Sequence, residues 1–122
     1  MEIKNLMAEG DFEISSLDLG DDHGTIHLRG KLPGFGDVWA EYTMFVGTED
    51  VGRTGGMVSG HGRALAEDGT LVAAKIAGIW SRQDGTVTLT TLDHINNGDQ
   101  VIVRVTVDLR ADTAHLAVYE LS

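Results

Sequence analysis

The sequence predicts an all-β protein: a small antiparallel eight-stranded β-barrel, mostly a meander, with a two-sheet β-sandwich as the alternative. Three observations predict it. Sixteen glycines are scattered through the chain and there is a single proline, a pattern that interrupts long helices and serves turns and bulges. Runs rich in Val, Ile, Leu and Thr alternate with a period of two. Asp-Gly and Asn-Gly steps between these runs are strong hairpin signals. A meander of eight strands tends to curl and close, because closure removes its exposed edges.

The elements follow in order. Met1 to Ala8 is ambiguous, since Ile3, Leu6 and Met7 also fit helical spacing. Gly10 to Asp18 alternates as a strand, with Phe12 and Ile14 on one face. Thr25 to Leu32 sets Ile26, Leu28, Gly30 and Leu32 against His27, Arg29 and Lys31. Pro33-Gly34-Phe35-Gly36 breaks the chain. Asp37 to Val46 places Val38, Ala40, Tyr42, Met44 and Val46 together, with Trp39, Glu41, Thr43 and Phe45 opposite. The acidic, glycine-rich segment from Gly47 to Gly56 reads as a loop able to act as a flap. Met57 to Ala66, Leu71 to Arg82, Thr86 to Ile95, Val101 to Leu109 and Thr113 to Leu121 complete the count.

Turn chemistry sets register, and register decides which side chains share a face. A two-residue loop at Asp68-Gly69 pairs His61 with Ile76 and Met57 with Trp80. A two-residue loop at Asp84-Gly85 pairs Trp80 with Leu89, Gly78 with Thr91 and Ile76 with Asp93. One face then carries Met57, Ser59, His61, Trp80, Leu89, Thr91 and Asp93, the apolar bulk and few polar groups of a ligand pocket. The other carries Val58, Gly60, Gly62, Ala64, Ala73, Lys75, Ala77 and Ile79, mostly small residues that suit close packing by another subunit or layer. A three-residue loop at Asn96-Asn97-Gly98 continues the pocket wall with Val101, Val103, Val105 and Val107.

Composition narrows function. A chain of 122 residues fits one domain, 1–122. Absence of cysteine excludes disulfides, thiolate metal sites and a thiol nucleophile. Nineteen acidic residues against nine basic ones, a net charge of −10, argue against nucleic acid and anionic membranes as partners. The N-terminal residues lack a signal-peptide pattern, and no apolar run is long enough for a membrane helix. A cytoplasmic location is expected.

The candidate chemistry is acid–base. His61 and Asp93 fall on one row with backbones about 10 Å apart; burial moves both pKa values toward neutrality. Tyr42 can donate to a substrate oxygen, and Arg63 can hold an anionic one. Met44, Met57, Trp80, Leu89 and Thr91 shape the pocket. Each has a plainer reading: His61 at a strand end, Asp93 capping a turn, Tyr42 a core residue, Arg63 a surface charge. No metal and no cofactor is expected, because His27, His61, His94 and His115 sit on different strands and none forms a close ligand pair.

The strand order, with GDFEI at Gly10 to Ile14, AEYTM at Ala40 to Met44 and SGHGRA before EDGT, resembles the small bacterial barrels related to allene oxide cyclase and the dirigent proteins. That resemblance implies an eight-stranded barrel with a hydrophobic cavity, often in dimers or trimers, steering a reactive small molecule largely by shape. The resulting expectation is an isomerase, cyclase or lyase-type enzyme acting on an apolar or aromatic metabolite. The alternatives are a non-catalytic small-ligand barrel and a packing module that forms a homo-oligomer through Gly60, Gly62, Ala73 and Ala77.

Overall fold

The computed structural model describes residues 3–46, 52 and 54–121, with only the backbone at Ile3 and Lys4. Eight antiparallel strands follow one another around a closed barrel: β1 (Ile3–Leu19), β2 (His23–Leu32), β3 (Gly36–Phe45), β4 (Gly55–Leu65), β5 (Leu71–Gln83), β6 (Thr86–Ile95), β7 (Gln100–Asp108) and β8 (Thr113–Leu121). The meander barrel is the fold, and the sandwich is set aside. The proposed flap falls largely on residues 47–51 and 53, outside the described residues.

The ambiguous start of the chain is part of β1. Its 17 residues pair with β2 from Phe12 to Leu19 and with β8 from Ile3 to Glu13. Register shifts between Ile3 and Leu6, between Leu6 and Ala8, and between Ile14 and Ser16 interrupt the period of two. Leu6 and Met7 are both exposed, so the apolar spacing of the segment marks no buried face.

Two turns behave as predicted. Asp84-Gly85 is a two-residue loop with Asp84 at φ 52°, and it sets Trp80↔Leu89, Gly78↔Thr91 and Ile76↔Asp93. Asn96-Asn97-Gly98 is a three-residue loop: Gly98 N donates to Ile95 O at 2.9 Å and Ile95 N to Asp99 O at 2.8 Å. It sends the four valines of β7 inward.

The β4–β5 turn corrects the prediction. It has the same three-residue build, Glu67-Asp68-Gly69. Gly69 N donates to Ala66 O at 3.0 Å and Ala66 N to Thr70 O at 2.9 Å, while Asp68 Oδ1 accepts from Thr70 N at 2.8 Å. Gly69 holds φ +88°, the left-handed residue such loops require. His61 therefore pairs with Lys75, Ser59 with Ala77 and Met57 with Ile79. A shift of one residue turns each β4 side chain to the other face. Met57, Ser59, His61 and Arg63 point outward; Val58, Gly60, Gly62 and Ala64 point inward. The four residues expected to form a small packing face are divided, Gly60 and Gly62 inside, Ala73 and Ala77 outside.

Side chains fill most of the interior, including Ile26, Leu28, Tyr42, Val58, Leu89, Val105 and Val107. Glycine lets the wall bend tightly at Gly60, where a Cβ would collide with the Glu41 carbonyl, and at Gly78, where it would collide with that of Thr90. At the end holding the β1–β2 and β3–β4 connections, Trp80 Nε1 donates to Phe45 O at 2.9 Å.

Candidate functional site

The opposite end of the barrel, beneath the β2–β3 and β6–β7 turns, holds a cavity of about 70 Å3. Its walls are apolar: Leu32, Phe35, Ile76, Ile95, Val101, Val103, Leu116 and Val118, with Gly62 and Ala74 leaving the space. Tyr42 and Asp93 are the polar side chains turned inward here. They lie on one ladder, Tyr42↔Gly60↔Ile76↔Asp93↔Val101.

Asp93 is 8% exposed. Its Oδ1 accepts from Thr91 Oγ1 at 2.7 Å, two residues away on the same inward face of β6. Burial raises its pKa from 3.8 to about 6, partly offset by the Thr91 hydrogen bond. Burial, and then the Asp93 charge, push the Tyr42 phenol well above its usual range. At neutral pH Tyr42 is a neutral donor, and Asp93 is a carboxyl able to gain or lose a proton.

The predicted site residues divide between two places. Asp93, Tyr42, Met44, Trp80, Leu89 and Thr91 are interior. Met44 and Trp80, however, line a separate cleft of about 300 Å3 at the other end, with Val46, Val87 and Leu109. Leu89 is fully packed between the two. His61, Arg63 and Met57 are on the outer surface. Arg63 borders the cavity at its rim, while its side chain is exposed.

His61 and Arg63 belong to a second constellation that sequence reasoning missed. His27, Glu41 and His61 occupy one ladder across β2, β3 and β4. His27 Nε2 lies 3.0 Å and His61 Nε2 3.7 Å from Glu41 Oε2. Ser15, Trp39 and Arg63 complete this shallow cleft of about 120 Å3. His27 Nδ1 is buried without a hydrogen-bond partner, which favours the proton on Nε2, donated to Glu41. The signal was present in the alternation of β2 and β3, once those strands are paired. Among the described residues no group of three or more His, Asp or Glu side chains is placed to hold a metal ion.

No known family matches this chain, nor does any curated protein or solved structure. Among the described residues no helix is long and apolar enough to cross a membrane. The cavity is the feature of the molecule that bears on function. Phe35 was not foreseen as part of it; its place in Pro33-Gly34-Phe35-Gly36, a large apolar residue inside a turn, was the available signal.

Proposed function

We propose that this barrel binds a small, mainly apolar molecule in the end cavity and orients it by one hydrogen bond or charge contact to Asp93. The observation that carries this reading is a buried carboxyl facing an apolar cavity. The Thr91 hydroxyl donates to one of its oxygens, but a buried carboxylate is costly to keep without further polar partners, which favours a ligand that supplies one. A volume of about 70 Å3 admits on the order of five heavy atoms, scaling from one water-sized sphere of about 10–15 Å3.

Titration of wild-type protein with n-butanol, followed by ligand-observed NMR, tests the reading. Binding should be saturable and should weaken about tenfold or more in Ala74→Leu, which fills the cavity. Equal binding by the filled variant would remove the cavity from the explanation.

A second reading is a proton-transfer enzyme of isomerase or lyase type. It is favoured by the near-neutral pKa of Asp93, suited to a general base, beside the neutral Tyr42 donor. With His61 and Arg63 outside the barrel, only these two groups serve it. Asp93 would take the proton α to a carbonyl whose oxygen Tyr42 holds. Wild-type protein should then catalyse deuterium exchange into cyclobutanone in heavy water, and Asp93→Asn should not; the absence of exchange leaves the carrier role. Kinship with the allene oxide cyclase and dirigent barrels belongs to the same proposal, supported by the closed eight-stranded meander.

A further inference from the structure

Three features bear on the kind of molecule the cavity takes. The first is charge. Asp93 faces the cavity, and the one basic residue on its lining among the described residues, Arg63, occupies an outward position with an exposed side chain. A buried carboxylate is stable only when a counter-charge or several hydrogen bonds meet it, and the Thr91 hydroxyl supplies one. The groups facing Asp93 along its ladder, Ile76 and Val101, are apolar, and Tyr42 beyond them carries no positive charge.

The second feature is aromatic. Phe35 and Tyr42 line the same cavity. Aromatic faces together with a carboxylate attract an organic cation, and repel an anion of the same shape.

The third lies outside the cavity. Leu32 and Phe35 also border a surface depression lined by Glu9, Asp37, Glu67 and Asp68 against Lys31. Lys31 lies 3.9 Å from Asp37 and His115 lies 3.0 Å from Glu9. The depression keeps a negative balance, which draws small cations toward that end of the molecule.

We propose, resting on the ligand-binding reading above, that the occupant is a small organic ammonium ion: a short alkyl body among Ile76, Val101 and Val103, the ammonium group on Asp93. A positive ligand of this size satisfies the carboxylate, uses the aromatic walls and is favoured by the acidic approach. A carboxylate ligand meets repulsion at each of these places, and a neutral alcohol gains only a hydrogen bond.

The test compares n-butylammonium chloride, n-butanol and sodium butyrate, probes of similar size differing in charge, by titration calorimetry and ligand-observed NMR at pH 7.5. Wild-type protein should bind butylammonium at least about tenfold more tightly than butanol and should not bind butyrate. Asp93→Asn should lose about tenfold or more for butylammonium and keep its affinity for butanol. Because Asn preserves shape and removes a buried charge, this variant is expected to fold. Butanol binding as tightly as butylammonium, or Asp93→Asn binding butylammonium undiminished, overturns the ammonium assignment and leaves the ligand barrel standing. If no probe binds wild-type protein, both fall.

Discussion

At the scale of single residues, Asp93 is where stability and chemistry meet. Its folded pKa, about 6, lies above the ordinary 3.8. Well below pH 3.8 it is protonated in both the folded and unfolded chain, and it contributes no penalty. As pH rises from about 4 to about 6 the unfolded chain releases the proton first, so stability falls over that window and then levels. The displacement corresponds to about 3 kcal/mol at neutral pH. Asp93→Asn should therefore melt near the wild type at pH 4 and above it at pH 7.5 when no ligand is present. Taking the difference between the two proteins removes the contribution of the other carboxylates. A variant that is less stable than wild type at pH 7.5 would mean Asp93 is charge-satisfied in the free protein. The position of Asp93 was legible because it shares a face of β6 with Val87 and Leu89, an apolar pattern that agrees with a two-residue loop at Asp84-Gly85; the position of His61 was not. Within SGHGRA, Gly60 and Gly62 lie on one face and His61 and Arg63 on the other, so hydrophobicity cannot say which is inward. The register rested on Asp68-Gly69 alone, and an Asp-Gly step also fits a three-residue loop that ends on a left-handed glycine.

At the scale of the element, β4 shows what its glycines do. A Cβ at Gly60 would strike the Glu41 carbonyl, backbone that cannot step aside. At Gly62 the nearest atoms are Trp39 O at 3.3 Å and Ile76 Cδ1 at 3.7 Å. Gly60→Ala should thus cost about 2–3 kcal/mol, in the range of overpacking. Gly62→Ala should cost less than about 1 kcal/mol while narrowing the cavity it lines. Chemical denaturation measures both, and equal losses would deny that close backbone approach at Gly60 bends the wall. The two three-residue turns share one build. Ala66-Glu67-Asp68-Gly69-Thr70 and Ile95-Asn96-Asn97-Gly98-Asp99 share an Asx side chain accepting from the N–H two residues on and a glycine at positive φ. At the second turn, the valines of β7 supplied an independent hydrophobic pattern that selected the loop length. At the first, β4 had no such pattern to offer.

At the scale of the whole molecule, closure depends on β1 serving two partners. Its first half pairs with β8 and its second with β2, the two ladders overlapping only at Phe12 and Glu13. His115 on β8 strengthens this seam, with Nε2 at 3.0 Å from Glu9 and Nδ1 at 3.0 Å from Asp11. Those hydrogen bonds raise its pKa above the ordinary value, Asp11 first and Glu9 next. Their contribution is present below pH 6.5, is lost as pH rises past the raised value, and is small because the groups are exposed. Backbone pairing is the larger part of the seam. A chain starting at Gly10 would leave β8 from Ala117 to Leu121 without its β1 partner. That exposes an edge rich in apolar residues, the feature that promotes edge-to-edge association. The shortened chain should melt lower by roughly 10 °C or more and form larger assemblies than the full chain on gel filtration. Met7→Lys, on an exposed side chain of the same segment, should do neither. If the shortened chain melts within about 2 °C of the full one and elutes as the full chain does, the barrel is closed by Gly10 to Glu13 alone, and the irregular first half of β1 is a covering strand with no part in closure.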